Sequence, residues 1–209
     1  MAEPSAQPHE RLKVRCLRRD DLPGDTAALA RYLVGKILVR DMARGRLAGR
    51  IVETEAYVVG DAAGHAFRGL SRRNRSLFLG RGHAYVYFTY GMHYCLNVSS
   101  ERPGIGAGVL LRALEPLEGL EAMARRRGTT RLHDLARGPG RLAQAMGVGP
   151  KFDGVDLCGD GPLWLGEARL PPFRIGSSVR IGITKETHRP LRFYARVNPF
   201  VSGPKRLNA

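Results

Sequence analysis

Cysteine is scarce in this sequence, and its placement excludes two common kinds of scaffold. The three cysteines, Cys16, Cys95 and Cys158, stand far apart, and none belongs to a C-x-x-C pair. Free cysteines usually behave as small buried apolar side chains. The sequence therefore predicts neither a disulfide framework nor a cysteine-based zinc site, and a reducing compartment suits it.

Several other signatures are missing. There is no glycine-rich phosphate loop, no dinucleotide fingerprint and no H-E-x-x-H pair. The histidines and acids are not spaced as a metal cluster, so we expect no metal and no other cofactor.

The sequence also lacks long apolar segments. No stretch reaches the roughly 20 residues that a membrane helix needs, and the N-terminus has no signal-peptide core. We expect no membrane partner and an intracellular, non-secreted location, either cytoplasmic (the bacterial nucleoid) or nuclear. Residues 1–14 are expected to be a disordered leader before one domain at residues 15–209.

Acidic residues are outnumbered. The chain has 19 of them against 34 lysines and arginines, a formal net charge of +15. Most of the positive charge is arginine, whose planar guanidinium matches phosphate oxygens well. A nucleic-acid partner is the first interpretation. The alternative is a solubilising surface, although solubility alone favours mixed signs.

The pattern of apolar residues predicts an α+β fold in a single domain. Strands dominate the centre and helices surround them without regular βαβ alternation, which favours a mostly antiparallel sheet. Helices are predicted at residues 25–34, 71–79, 117–127 and 139–146. Strands are predicted at residues 36–39, 46–59, 83–90, 93–100, 108–114, 163–165, 178–184 and 191–197.

Residues 50–57 (RIVETEAY) carry the first candidate chemistry. Alternate residues of a strand share a face, so Glu53, Glu55 and Tyr57 should point together, with Ile51 on the same side. One carboxylate would pair with an arginine, and the other would be a base that activates water. The pattern does not say which, and ordinary acids on a solvated strand face remain the alternative.

Arg112 lies inside an apolar strand, and a buried arginine needs an anionic partner. The candidates are Glu53, Glu55 or a ligand phosphate. A structural ion pair is the alternative to a functional one.

Residues 85–94 predict an aromatic hairpin. Tyr85 and Tyr87 share a face, and Tyr90 sits at the tip beside Met92. Exposed apolar groups at a hairpin tip suit insertion between DNA base steps, and aromatic faces can stack an unpaired base. Packing in the core is the alternative, but it fits Tyr90 poorly.

Arginines beside small residues suggest phosphate contacts. His65 follows a run of small residues and precedes a basic segment that contains Arg73 and Arg75. Arg141 follows a Gly-Pro-Gly turn that opens a helix, where backbone N–H groups can receive a phosphate. His65 alone would more often be structural.

These segments, in this order, resemble the alkyladenine (3-methyladenine or methylpurine) DNA glycosylase family. The resemblance runs from about residue 15 to the end. It is carried by residues 50–57, 63–65, 73–75, 85–92, 95–97, 110–116, 138–144 and 190–194. It implies a curved, mostly antiparallel sheet with surrounding helices and a protruding β-hairpin.

The resemblance also implies an activity and its catalytic residues. Glu55 would be the base that activates water, with Arg112 and, more loosely, the carbonyl of Ile181 positioning that water. The enzyme would be monofunctional, because no catalytic lysine matches. It would release 3-methyladenine, 7-methylguanine, hypoxanthine and ethenoadenine from double-stranded DNA, leaving an abasic site, and we expect it to act as a monomer.

The remaining matches imply binding roles. Tyr57, His65 and Tyr87 would sandwich the extruded base, and Asn97 would exclude the amino group of normal guanine. Tyr90 would fill the gap left in the duplex. Two rival functions stay open: a non-catalytic nucleic-acid-binding protein, and a nuclease with a metal held by two acids and His65.

Overall fold

The computed structural model describes residues 11–89 and 91–208. In this part of the chain, nine strands and three helices form the predicted α+β fold around one large sheet. The strands are β1 (Arg15–Cys16), β2 (Ile37–Asp41), β3 (Arg46–Tyr57), β4 (Ala84–Thr89), β5 (His93–Ser99), β6 (Gly108–Glu118), β7 (Leu163–Glu167), β8 (Ile175–Ser178) and β9 (Arg192–Ala195). The helices are α1 (Thr26–Leu33), α2 (Leu120–Arg127) and α3 (Pro139–Met146).

β3 is the central strand of the sheet. The main order is β1-β7-β2-β3-β6-β5-β4, and the strand pairs within the described ranges are antiparallel. β6 borders one edge of β3. On the other edge, β2 pairs with residues 46–50 and β9 with residues 53–55. Hydrogen bonds hold both edges of β3, and all of its residues except the two at its ends are buried.

Helices α1 and α3 have sequence signals at their ends that account for where they begin or end. The side chain of Asp25 accepts the N–H of Ala28 at 2.7 Å and caps α1. α3 begins at Pro139 and ends before Gly147, which has a left-handed φ of 61°. Both helices confirm the predictions for these segments.

A β-bulge changes the alternation predicted for β3. Ile51 pairs with Leu114 and Glu53 with Ala113, which leaves Val52 as the extra residue. Ile51 therefore packs in the main core cluster, and Val52 joins a separate small cluster. The prediction that Ile51 shares the face of Glu53 is wrong for this reason.

The helix predicted at residues 71–79 is a loop with a short 3-10 turn, Arg75–Phe78. The buried Asn74 side chain organises this loop. It accepts the N–H of Ser71 at 2.7 Å and donates to the carbonyls of His65 at 2.8 Å and Gly69 at 3.0 Å. These local bonds replace the helical ones.

Two further predictions need correction. The strand predicted at residues 178–184 is wrong, since β8 ends at Ser178 and a loop follows in which Arg180 turns inward to Asp61. α2 starts at Leu120 rather than at residue 117, because β6 continues to Glu118.

The N-terminal boundary stays a prediction. Residues 1–10 lie outside the described residues, and β1 begins at Arg15. Between them, the N–H of Leu12 donates to the carboxylate of Glu118 at 2.5 Å. In the described ranges, no helix is both long and apolar enough to cross a membrane.

Candidate active site

Glu55 lies in the middle of the molecule with a fully buried side chain. Its Oε1 accepts the backbone N–H of Ile181 at 2.7 Å and lies 3.1 Å from Nη1 of Arg112. Its Oε2 accepts the hydroxyl of Tyr57 at 2.9 Å. Three donors on different elements therefore fix the carboxylate, and of its two oxygens Oε2 accepts the smaller number of these bonds.

Glu53 is held by arginines rather than exposed to a ligand. Its Oε1 accepts Nε of Arg112 at 2.8 Å and Nε of Arg192 at 2.6 Å, and its Oε2 accepts the N–H of Ser202 at 2.7 Å. Burial would raise the pKa of Glu53, but the two guanidinium groups outweigh it and hold the pKa below its usual value. Arg112 thus bridges both acids.

Arg192 extends this network to the C-terminal segment. It is fully buried and donates to the carbonyls of Ser202 and Leu207, both at 3.0 Å, and to the side chain of Asn208 at 2.7 Å. Sequence reasoning missed Arg192, which lies 139 residues from Glu53. Its position in an apolar strand is the same signal that singled out Arg112.

A cavity of about 400 Å³ opens next to the acids. Its volume lies in the range of small-ligand pockets. Glu55 itself is behind the wall, hydrogen-bonded to three residues that form it. The predicted pocket residues Tyr57, His65, Tyr87 and Asn97 all line the cavity, together with Arg112 and Ile181.

The aromatic wall is tied together by contacts among its own rings. The rings of Tyr85 and Tyr87 stack with centroids 5.3 Å apart, and His65 meets Tyr87 edge-on at 4.4 Å. Nδ1 of His65 lies 2.9 Å from the hydroxyl of Tyr85. Sequence reasoning gave Tyr85 no role, although it placed Tyr85 on the face of Tyr87.

The protonation of His65 follows from its neighbours. Burial, reinforced by the charge of Arg73, lowers the pKa of His65, so the ring is neutral at neutral pH. Burial raises the pKa of Tyr85 to about 12, so this phenol keeps its proton. The neutral ring and the protonated phenol can therefore share one hydrogen bond between Nδ1 of His65 and the hydroxyl of Tyr85.

For the glycosylase activity that the resemblance implies, we expect Tyr85→Phe to slow base release about fivefold, the effect of losing roughly 1 kcal/mol from one hydrogen bond. The ring remains in the core, so the melting temperature should change little. Single-turnover kinetics on lesion-bearing duplexes measures the effect. Tyr32→Phe, in α1 and away from the cavity, is the matched control. Equal rates for the two variants would contradict a role for the Tyr85 hydroxyl.

The arginines predicted to contact DNA are all exposed. Arg73 and Arg75 are exposed, and Arg73 donates to the carbonyl of Phe88 at 3.2 Å. Arg141 is exposed on α3 and pairs with Asp134 at 2.9 Å. Tyr90, the predicted intercalating residue, lies outside the described residues.

The residues proposed for a metal-dependent nuclease do not form a ligand set. The oxygens of Glu53 are taken by Arg112, Arg192 and a backbone N–H. Over residues 11–89 and 91–208, no group of three or more histidines, cysteines and acids is placed to hold a metal ion. The carboxylates are therefore arranged around arginines.

Sequence comparison decides the family. The model of the methylpurine-DNA glycosylase (MPG) family matches residues 20–199. The chain belongs to the methylpurine-DNA glycosylase family. It is therefore a DNA glycosylase, a hydrolase of N-glycosyl bonds in base excision repair, and DNA is its substrate.

Three individual relatives match this chain over most of its length. A protein of Mesorhizobium japonicum is 65% identical over 191 residues, which cover 91% of this chain and 92% of that protein. One from Paraburkholderia phytofirmans is 54% identical, covering 94% and 92%. One from Methanoculleus marisnigri is 46% identical, covering 85% and 94%. All three are provisionally named 3-methyladenine DNA glycosylases.

Proposed function

We propose that this glycosylase flips alkylated or deaminated purines out of double-stranded DNA and hydrolyses their glycosidic bond, leaving an abasic site. Its substrates would be 3-methyladenine, 7-methylguanine, hypoxanthine and ethenoadenine. The buried Glu55 carboxylate, held by three donors beside an aromatic-walled cavity, carries the proposal. A base stacked in a duplex cannot enter such a cavity, so the nucleotide must be extruded first.

Glu55 would act on water. Its Oε1 is used by Ile181 and Arg112, so Oε2 is the atom that accepts a water proton. As the glycosidic bond lengthens, the sugar gains oxocarbenium character, which the nearby carboxylate stabilises. Water attacks the sugar carbon, its proton passes to Glu55, and the base departs with the bonding electrons.

Tyr57 would serve both the carboxylate and the base. Burial, together with the charge of Glu55, raises the pKa of Tyr57, so its hydroxyl remains a donor to Oε2. Its ring, with those of His65 and Tyr87, would stack the extruded base. A cationic base gains a further cation–π attraction of about 0.5–2 kcal/mol. Asn97 in the wall would obstruct the amino group of normal guanine.

The outer surface would hold the duplex. Tyr90 is proposed to fill the gap left by the flipped nucleotide, and Arg73, Arg75 and Arg141 to contact phosphates. The net charge of +15 suits this partner. We propose a monomer, since one chain supplies every residue of the site, working in the compartment that holds the genome.

The test is base release from duplexes that each carry one of the four lesions, under single-turnover conditions with chelator present. We expect release of the base, an intact DNA backbone until alkali is added, and no covalent adduct after borohydride treatment. Binding without release would favour a non-catalytic protein. Loss of activity with chelator would favour a metal nuclease, and a trapped adduct would refute monofunctional hydrolysis.

A further inference from the structure

A buried ion pair, Arg180 and Asp61, lies beside the cavity, which Asp61 helps to line, and no step of the proposed mechanism uses it. The side chains of Arg180 and Asp61 are both fully buried. Arg180 donates to both carboxylate oxygens and to the carbonyl of Ala56 at 2.9 Å. Within residues 11–89 and 91–208, its Nε is the one buried side-chain nitrogen or oxygen without a hydrogen-bond partner.

The guanidinium of Arg180 lies against the ring of Tyr57. Its central carbon is 4.7 Å from the ring centroid. Tyr57 lines the cavity, whereas Arg180 is buried behind it. The guanidinium covers one face of the ring, so a base that stacks on Tyr57 would use the other face.

The charge of Arg180 acts on this ring. Burial raises the pKa of Tyr57, as does Glu55, and Arg180 is one of the positive charges that oppose this rise. The pair also joins two walls of the cavity, because Asp61 belongs to the loop before His65 and Arg180 directly precedes Ile181. Simple cross-linking of the loops would not require the guanidinium to lie over the ring.

We propose that Arg180, paired with Asp61, is a positioning residue that acts through Tyr57 and lowers the preference of the pocket for cationic purines over neutral ones. The inference rests on the proposed function, because it concerns the base held against Tyr57. An aromatic face attracts a cation through its π electrons. A cation already on one face weakens that attraction on the other, whereas stacking of a neutral base is little affected.

Two variants should shift this preference in opposite directions. Asp61→Asn leaves the charge of Arg180 uncompensated, so release of cationic bases should fall relative to neutral ones. The double variant Arg180→Met/Asp61→Asn removes both charges and should raise that ratio. About a two- to fivefold change is expected in each case, from the size of cation–π contacts. The amide oxygen introduced by Asp61→Asn can still accept the N–H of Ala63, as the carboxylate does.

The experiment compares single-turnover base release from two duplexes that differ only in carrying 7-methylguanine, a cation, or hypoxanthine, a neutral base. For each variant, the rate for 7-methylguanine is divided by the rate for hypoxanthine. The readout is the quotient of this ratio and the same ratio for the wild type. The intrinsic reactivities of the two lesions cancel in this quotient. A general disturbance of Glu55 or of the fold slows both reactions and leaves the quotient near one.

A matched control comes from a half-buried pair, Arg46 and Glu118, which lie 2.7 Å apart at the far end of β3. The double variant Arg46→Met/Glu118→Gln should leave the quotient unchanged. Circular dichroism and melting curves check the fold of every variant. Replacing both members of a buried pair is generally tolerated better than removing one.

The inference requires both shifts: a quotient above one for the double variant and below one for Asp61→Asn. A quotient of one in either variant, or a shift in the opposite direction, overturns it. If the wild type releases both bases and the variants leave the quotient at one, the inference is overturned but the proposed function is not. A wild type that releases neither base removes the proposed function, and the inference with it.

Discussion

Glu55→Gln is expected to slow base release at least about 100-fold while leaving the affinity for lesion-bearing DNA unchanged. An amide cannot take the proton from water, and it carries no charge to stabilise a cationic sugar. General-base groups commonly contribute factors of about 10² to 10⁴. Single-turnover release and equilibrium DNA binding, measured on the same duplex, separate the two effects.

The surroundings of Glu55 tolerate this change. The amide oxygen can accept from Ile181 and Arg112, and the amide nitrogen faces the hydroxyl of Tyr57, which can turn to accept. Arg112 keeps its bond to Glu53. Glu121→Gln, an exposed acid in α2, is the control and should behave as wild type. Wild-type rates for Glu55→Gln would eliminate Glu55 as the base.

Glu53→Gln should have the larger effect on stability, a loss of about 3–5 kcal/mol in the free energy of unfolding. Glu53 faces only donors: Arg112 and Arg192 at Oε1 and the N–H of Ser202 at Oε2. Either orientation of a glutamine sets an N–H against another donor, and it leaves Arg192 without an anion while Arg112 keeps only Glu55. Urea denaturation measures the loss.

The same substitution should change the pH dependence of stability. The pKa of Glu53 is lowered in the folded state, so its stabilisation is complete above the pKa of an unfolded glutamate, about 4.3. It is lost as the pH falls through the lowered value. The gap in unfolding free energy between wild type and Glu53→Gln should therefore narrow in acid. A gap that stayed constant with pH would contradict an ionised Glu53.

Glu121→Gln again serves as the control for stability. Glu121 is 93% exposed and faces Arg125 at 3.7 Å. Exposed pairs of this kind contribute about 0–1 kcal/mol. A comparable loss in both variants would show that the buried position of Glu53 is not what matters.

The local parts of the fold could be predicted well from the sequence. Pro139 and Gly147 marked both ends of α3, and Asp25 marked the start of α1, because end signals act within one helical turn. The alternation of Glu53, Glu55 and Tyr57 also survives in β3, although a bulge precedes it. Such features depend on near neighbours, which a sequence displays directly.

The remaining parts depend on contacts between distant segments. The choice of Glu53 as the arginine-bound acid rests on Arg192 and Ser202, 139 and 149 residues away. The loop after Ser178 has a strand-like sequence, but the pairing of Arg180 with Asp61 draws it out of the sheet. No short-range pattern carries this information. The resemblance to the family supplied the catalytic assignment that spacing alone left open.

The central strand β3 fixes the positions of Glu55 and Tyr57, whereas other parts of the cavity wall are loops. Glu55 and Tyr57 stand two residues apart on β3, so the backbone keeps them at a spacing of about 6.6–6.8 Å. Neighbouring strands hydrogen-bond both edges of β3. Much of the remaining wall comes from the loops at residues 58–67 and 181–185, which connect elements and tolerate variation. Under the proposed function, evolution or laboratory selection can therefore alter those loops, and with them the base that is accepted, while Glu55 and Tyr57 keep their places on β3.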